Sequence, residues 1–102
     1  MKEADLMRQI MLALSEDGHA VFRANVGLFF TKDGRPVRSG LPVGFSDLFG
    51  NRAGDARAFY LEVKRPGERL KPHQAAFLEA MRVRGAIAAV VTSPREALDV
   101  LR

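Results

Sequence analysis

Phe59-Tyr60-Leu61-Glu62-Val63-Lys64-Arg65 is the stretch whose reading decides the fold. Aromatic and β-branched residues dominate it, and side chains along a strand point alternately to its two faces. Phe59, Leu61 and Val63 therefore share one face, while Tyr60, Glu62 and Lys64 share the other. An acid and a base thus project side by side from a strand that otherwise reads as core. Burying charge is costly unless the charge is paired or holds a metal. A cross-strand ion pair on a half-exposed sheet is one explanation. A functional site is the other.

On the C-terminal side, Pro66-Gly67-Glu68-Arg69 ends the strand in a basic loop. A helix is predicted from Pro72 to Arg84, with Pro at the first helical position and Gly85 past the end. Phe77, Leu78 and Met81 form its apolar face, and Gln74 falls three, four and seven residues before them, inside that stripe. Such an amide either serves a site or is satisfied by backbone groups. Ala86 to Thr92 is apolar on both alternating sets, as expected of a strand covered on both faces. Ser93, Pro94 and Glu96 form a capping box for a last helix that buries Ala97, Leu98 and Leu101.

On the N-terminal side, a polar turn from Gly50 to Arg57 follows a short strand, Phe45 to Phe49, which carries Asp47 among apolar neighbours. The loop Ser39 to Gly44 is rich in Gly and Pro. Before it, Asp33-Gly34 signals a hairpin turn whose return strand starts at Pro36-Val37-Arg38. Lys32, Arg35 and Arg38 cluster there, as a solvated basic turn or as a phosphate-contacting loop. His19 to Val26 reads as a strand, with Leu28 to Thr31 as its continuation or a neighbour across Gly27. The chain opens with an amphipathic helix, Glu3 to Glu16, whose stripe is Leu6, Met7, Ile10 and Leu14. Glu3 is in phase with that stripe; it either complements the helix dipole or faces a site.

The element order α-β-β-β-β-α-β-α describes an α/β fold, a mixed sheet with helices on both faces. The segment from Phe59 to Thr92 would be a right-handed parallel crossover. At 102 residues the chain is expected to form one domain, 1–102, with a single core. The absence of cysteine excludes disulfides and thiolate–zinc sites and makes an intracellular location the default. No apolar run approaches the roughly 20 residues of a membrane helix, and charged residues interrupt the N-terminus where a secretory signal would need apolar ones. A net charge of +4 points to an acidic partner such as nucleic acid.

Glu3, Asp47, Glu62 and Gln74 are thus all directed at a core, with Lys64 on the face of Glu62. In so small a chain one shared site explains them best. Oxygen ligands without sulfur or a histidine cluster suit a hard cation, Mg2+ or Mn2+. Such an ion can hold a phosphodiester and activate water, beside a lysine that orients that water or stabilises the transition state.

Asp47 followed fifteen positions later by Glu62-Val63-Lys64 resembles the core of the PD-(D/E)XK nucleases. Gln74 on the next helix, Glu3 on the first and the Gly44-Phe45-Ser46-Asp47 approach resemble its VRR-NUC branch, in the small stand-alone form of phages and bacteria. The resemblance covers almost the whole chain. It implies a restriction-endonuclease-like fold and metal-dependent phosphodiester hydrolysis. It makes Asp47 and Glu62 the primary metal ligands with the Val63 carbonyl, Lys64 catalytic, and Gln74 a supporting residue. Glu3 would act through the metal or its water shell.

Ser46 stands where that family usually has Pro, and Lys71 stands where a capping Ser or Thr is usual. The resemblance further implies a homodimer acting on branched DNA such as four-way junctions. Leu28, Phe29 and Phe30 would form either the dimer interface or core. Arg65, Arg69, Lys71, Lys32, Arg35 and Arg38 are the expected DNA-backbone contacts, whereas His19 and His73 read as ordinary residues. The rival functional class is a non-catalytic nucleic-acid-binding or assembly module that retains the nuclease fold.

Overall fold

A computed structural model describes all of residues 1–102. In chain order the elements are α1 (Glu3–Glu16), β1 (Ala20–Arg23), β2 (Leu28–Phe30), β3 (Pro36–Arg38), β4 (Leu48–Asn51), β5 (Ala58–Val63), α2 (Pro72–Val83), β6 (Ile87–Val91) and α3 (Pro94–Val100). Four strands form one mixed sheet in the order β1-β4-β5-β6, antiparallel except for the β5–β6 pair. That parallel pair is joined by α2, since parallel neighbours need a long crossover.

The alternation read in β5 holds. Phe59, Leu61 and Val63 are buried against Leu6, Met7, Ile10 and Leu14 of α1, Val91 of β6, and Ala97 and Leu101 of the last helical segment. The opposite face carries an aromatic layer. Phe45 lies 4.6 Å from Phe77 of α2, and Tyr60 lies 5.6 Å from the same ring. Helices α1 and α3 thus cover one face and α2 covers part of the other, the layering the sequence predicts. No helix is long and apolar enough to cross a membrane.

Several boundaries differ from expectation for local reasons. Leu28–Phe30 is a separate strand and not a continuation of β1, so five strands precede α2 where four were expected. Gly27, at φ +123°, turns the chain out of the sheet, and β2 pairs with β3 alone in a detached hairpin. Its apolar residues are therefore exposed and are not core. Strand β1 stops at Arg23, short of Val26.

Strand β4 begins at Leu48 and not at Phe45. Ahead of it, side chains take over the bonding: Ser46 Oγ donates to the Leu48 carbonyl at 2.9 Å, and Asp47 Oδ2 accepts from the Val63 N–H at 2.8 Å. In the α3 cap, Ser93 Oγ accepts from the Glu96 N–H. The Glu96 carboxylate, however, reaches back one residue further than a capping box requires, to the Thr92 N–H at 2.7 Å.

Candidate active site

The register of β4 against β5 fixes the centre of the site. Leu48 pairs with Leu61 and Phe49 with Tyr60, so Asp47, one step before β4, lies across from Glu62. Directly opposed residues of an antiparallel pair share a face. Both carboxyl groups consequently project to the side that α2 partly covers. They line one cleft of about 270 Å³, together with Gly44, Ser46, His73 and Gln74.

Glu62 is only 2 % exposed. Its Oε1 accepts from Gln74 Nε2 at 3.3 Å, while its buried Oε2 has no donor within reach, so the ionised carboxylate would leave it unpartnered. Burial first, and then the adjoining Asp47 carboxyl, which Glu62 can hydrogen-bond only while it keeps its proton and whose charge opposes ionisation, push the Glu62 carboxyl up to about 9. Lys64 opposes that rise and Glu3 adds to it. A buried oxygen with no partner is uncommon in native proteins and calls for an explanation.

Lys64 is 9 % exposed and enters none of the ion pairs of the molecule. The Glu62–Lys64 charges are therefore not a structural ion pair. The Lys64 N–H donates to the Val91 carbonyl at 3.1 Å, so its backbone is held in the sheet just past β5.

Gln74 fulfils both roles its sequence position allows. Its Oε1 accepts from the Lys71 N–H at 2.9 Å, which caps α2 although Lys71 supplies no capping hydroxyl. Its Nε2 meets Glu62. The helix start is thereby tied to the carboxyl pair through one side chain. The loop before β4 passes so close to α2 that a Cβ at Gly44 would lie 2.6 Å from the His73 carbonyl. Gly44 also has φ +94°, a backbone conformation that L-residues rarely adopt.

Glu3 is partly buried at the start of α1, and its charge is felt at both Glu62 and Arg65. It does not join Asp47 and Glu62 in a three-carboxylate cluster that would hold a metal by itself. The basic residues fall in two groups. Arg65, Arg69 and Lys71 lie exposed on the loop between β5 and α2, where Arg65 Nε pairs with Glu68 at 2.8 Å. Lys32, Arg35 and Arg38 lie exposed on the β2–β3 hairpin, where Arg35 pairs with Asp33 at 3.2 Å. His73, read as ordinary from the sequence, lines the cleft. Its place immediately before Gln74 in the first turn of α2 puts it within reach of DNA at the cleft, the alternative that its sequence position leaves open beside a solvated histidine.

The donor set fits a hard divalent cation. Its acidic donors are carboxyl oxygens, one of them with no protein donor, on a pair that resists ionising together. A mixed sheet that sets such a pair beside a buried lysine and a helix-borne glutamine has the plan of a restriction-endonuclease-like nuclease domain. The chain matches the VRR-NUC domain over residues 5–94 and belongs to that family. A solved structure described as a VRR-NUC domain superposes with a TM-score of 0.68, covering 97 % of this chain and 92 % of its own at 22 % identity. No curated protein matches the sequence.

Proposed function

We propose that residues 1–102 act as a single divalent-metal-dependent DNA endonuclease domain, with Asp47, Glu62 and the Val63 carbonyl holding Mg2+ or Mn2+. The buried Glu62 carboxyl set against Asp47 in one cleft, with an oxygen that no protein donor satisfies, is the observation that carries this reading. The bound cation would supply the positive charge that holds the scissile phosphodiester, lowers the pKa of an attacking water and stabilises the leaving oxygen.

The chain's own residues divide the remaining work. Asp47 is held by the Val63 N–H and so presents a fixed carboxyl toward Glu62. Gln74 orients the Glu62 carboxyl through Nε2 and keeps its Oε1 on the helix cap, so Glu62 cannot turn without disturbing α2. Lys64 acts beside the scissile phosphate. Its buried stem and unpaired ammonium suit it to orient the attacking water or to neutralise charge in the transition state. Glu3 contributes at longer range, through the electrostatics of the metal and its water shell.

The substrate in this reading is branched DNA, a flap or a four-way junction, cut by a homodimer whose twofold axis matches the symmetry of a junction. Half-exposed Phe22 on β1, an end strand of the sheet, supports self-association. The domain would act in the cytoplasm, and Arg65, Arg69 and Lys71 would meet the DNA backbone beside the cleft.

The deciding experiment is a cleavage assay on linear, flapped and four-way DNA with Mg2+ or Mn2+, run beside Lys64→Ala, with the mass in solution measured in parallel. Metal-dependent cutting that Lys64→Ala removes is the expected result. Binding without cutting would instead favour a non-catalytic DNA-binding module.

A further inference from the structure

We infer that the β2–β3 hairpin is a second DNA contact that stacks its aromatic side chains on unpaired bases next to the cleft; the inference rests on the nuclease reading above. Leu28, Phe29, Phe30 and Val37 are 46, 47, 65 and 48 % exposed, in a hairpin whose two strands pair only with each other. Apolar residues gathered on a projecting element mark an interaction surface. Three features identify what it meets.

The first is where the hairpin is rooted. Val26, two residues before β2, and Val43, in the loop after β3, both line the cleft that holds Asp47 and Glu62. Whatever the hairpin grips is therefore adjacent to the proposed reaction centre. The second is charge. Lys32, Arg35 and Arg38 decorate the hairpin against a single acid, Asp33, and that acid is already engaged by the Thr31 hydroxyl and by Arg35. A second copy of this chain meeting the hairpin across a twofold axis would bring these cations together, whereas a phosphodiester backbone neutralises them.

The third is chemistry. Rings beside cations are the pairing that binds single-stranded nucleic acid, bases on the rings and phosphates on the cations. Register places Phe29 opposite Val37 on one face of the hairpin, with Phe30 opposite Pro36 and Leu28 opposite Arg38 on the other. A ring is thus offered on each side. In a continuous duplex the base faces are already stacked on one another, so the rings discriminate in favour of DNA whose pairing is interrupted.

The test compares wild type with the double variant Phe29→Ala, Phe30→Ala, without divalent metal so that nothing is cut. Fluorescence anisotropy reads binding to a labelled duplex with a single-stranded branch and to a blunt duplex of equal length, while sedimentation reads mass. The expected result is a loss of about tenfold or more on the branched DNA, about twofold or less on the blunt duplex, and unchanged mass. Lys32→Ala with Arg38→Ala should weaken both DNAs alike and lower the salt slope by about two.

Unchanged affinity of the aromatic double variant for branched DNA overturns the inference. So does a fall in mass, which would assign the hairpin to a second copy of the chain. In a parallel assay with Mg2+ or Mn2+, cleavage of the branched DNA by wild type and variant at equal rates would sink the hairpin role and leave the nuclease reading standing. A wild type that neither binds nor cuts either DNA sinks both.

Discussion

Two antiparallel strand pairs in this molecule look alike on paper and have opposite fates. The β4–β5 pair and the β2–β3 hairpin are both short and rich in Phe, Leu and Val. In the first, Leu48, Phe59, Leu61 and Val63 have no exposed surface at all. In the second, every residue is exposed. Local propensity does not separate them; coverage does. The parallel crossover places β6 beside β5, and α1, α2 and α3 then close over the two faces, while nothing closes over the hairpin. Only the covered pair can hold a carboxyl group toward its neutral form by desolvation, because burial is the leading cause of the Glu62 shift.

The largest difference between the two regions should come from Asp47→Ala. Removing that carboxyl takes away the partner of Glu62 and the acceptor of the Val63 N–H. Mn2+ binding by calorimetry should vanish and cleavage should fall by well over about a hundredfold, since even outer-sphere partners of metal sites are worth that much. Retention of Mn2+ binding would move the metal site elsewhere. Lys64→Met, which keeps the buried stem, should leave Mn2+ binding intact and lower the cleavage rate by about 10²–10⁴-fold. Next comes Leu61→Ala, on the opposite face of the same strand. It should cost about 2–5 kcal/mol of stability in a denaturant melt, because it empties fully buried space.

The covered region was also the more legible in the sequence. The bounds of α1, the start of α2 and the two faces of β5 follow from periodicity and capping alone. That Asp47 and Glu62 share a site follows from their apolar settings and from family resemblance, but their pairing across two strands does not. It depends on a strand register, and a register is set by turns and by the choice of buried face, not by either residue. The late start of β4 was hidden because Ser46 and Asp47 replace backbone bonds with side-chain bonds that leave no periodic trace. From its sequence position Gln74 either serves a site or is satisfied by backbone groups. Its amide has two ends, and the structure uses one for each. The hairpin's exposure was the least legible, because an apolar strand carries no mark of whether anything will cover it.

A smaller effect with a definite sign follows from the Glu62 carboxyl. Its folded-state value of about 9 lies above the ordinary 4.5 of an unfolded chain. Between those values the folded protein keeps a proton that the unfolded chain releases. The contribution of Glu62 to the stability of the metal-free protein is therefore full below about 4.5 and declines as pH rises toward 9. Metal binding requires the ionised carboxylate, so uptake should expel a proton and strengthen with pH across the same window. Calorimetry in two buffers of different ionisation enthalpy counts that proton, and thermal melts without metal follow the decline. Glu62→Gln should flatten the pH dependence of the melts. Uptake with no proton released would mean that Glu62 is already ionised or is not a ligand.

The smallest stability effect belongs to the hairpin, and its smallness is informative. Phe30→Ala removes a side chain as large as Phe59, yet Phe30 is 65 % exposed while Phe59 is fully buried. Little of its surface leaves water on folding, so its truncation should change unfolding free energy by no more than about 0.5 kcal/mol in a denaturant melt. Phe59→Ala should cost about 3–5 kcal/mol in the same assay. A loss at Phe30 approaching that at Phe59 would mean that something covers the hairpin in solution, which a second copy of the chain would do and a DNA-free stacking platform would not. A negligible loss in stability combined with weaker binding to branched DNA would separate the two regions by function: one strand pair is apolar in order to fold, the other in order to bind.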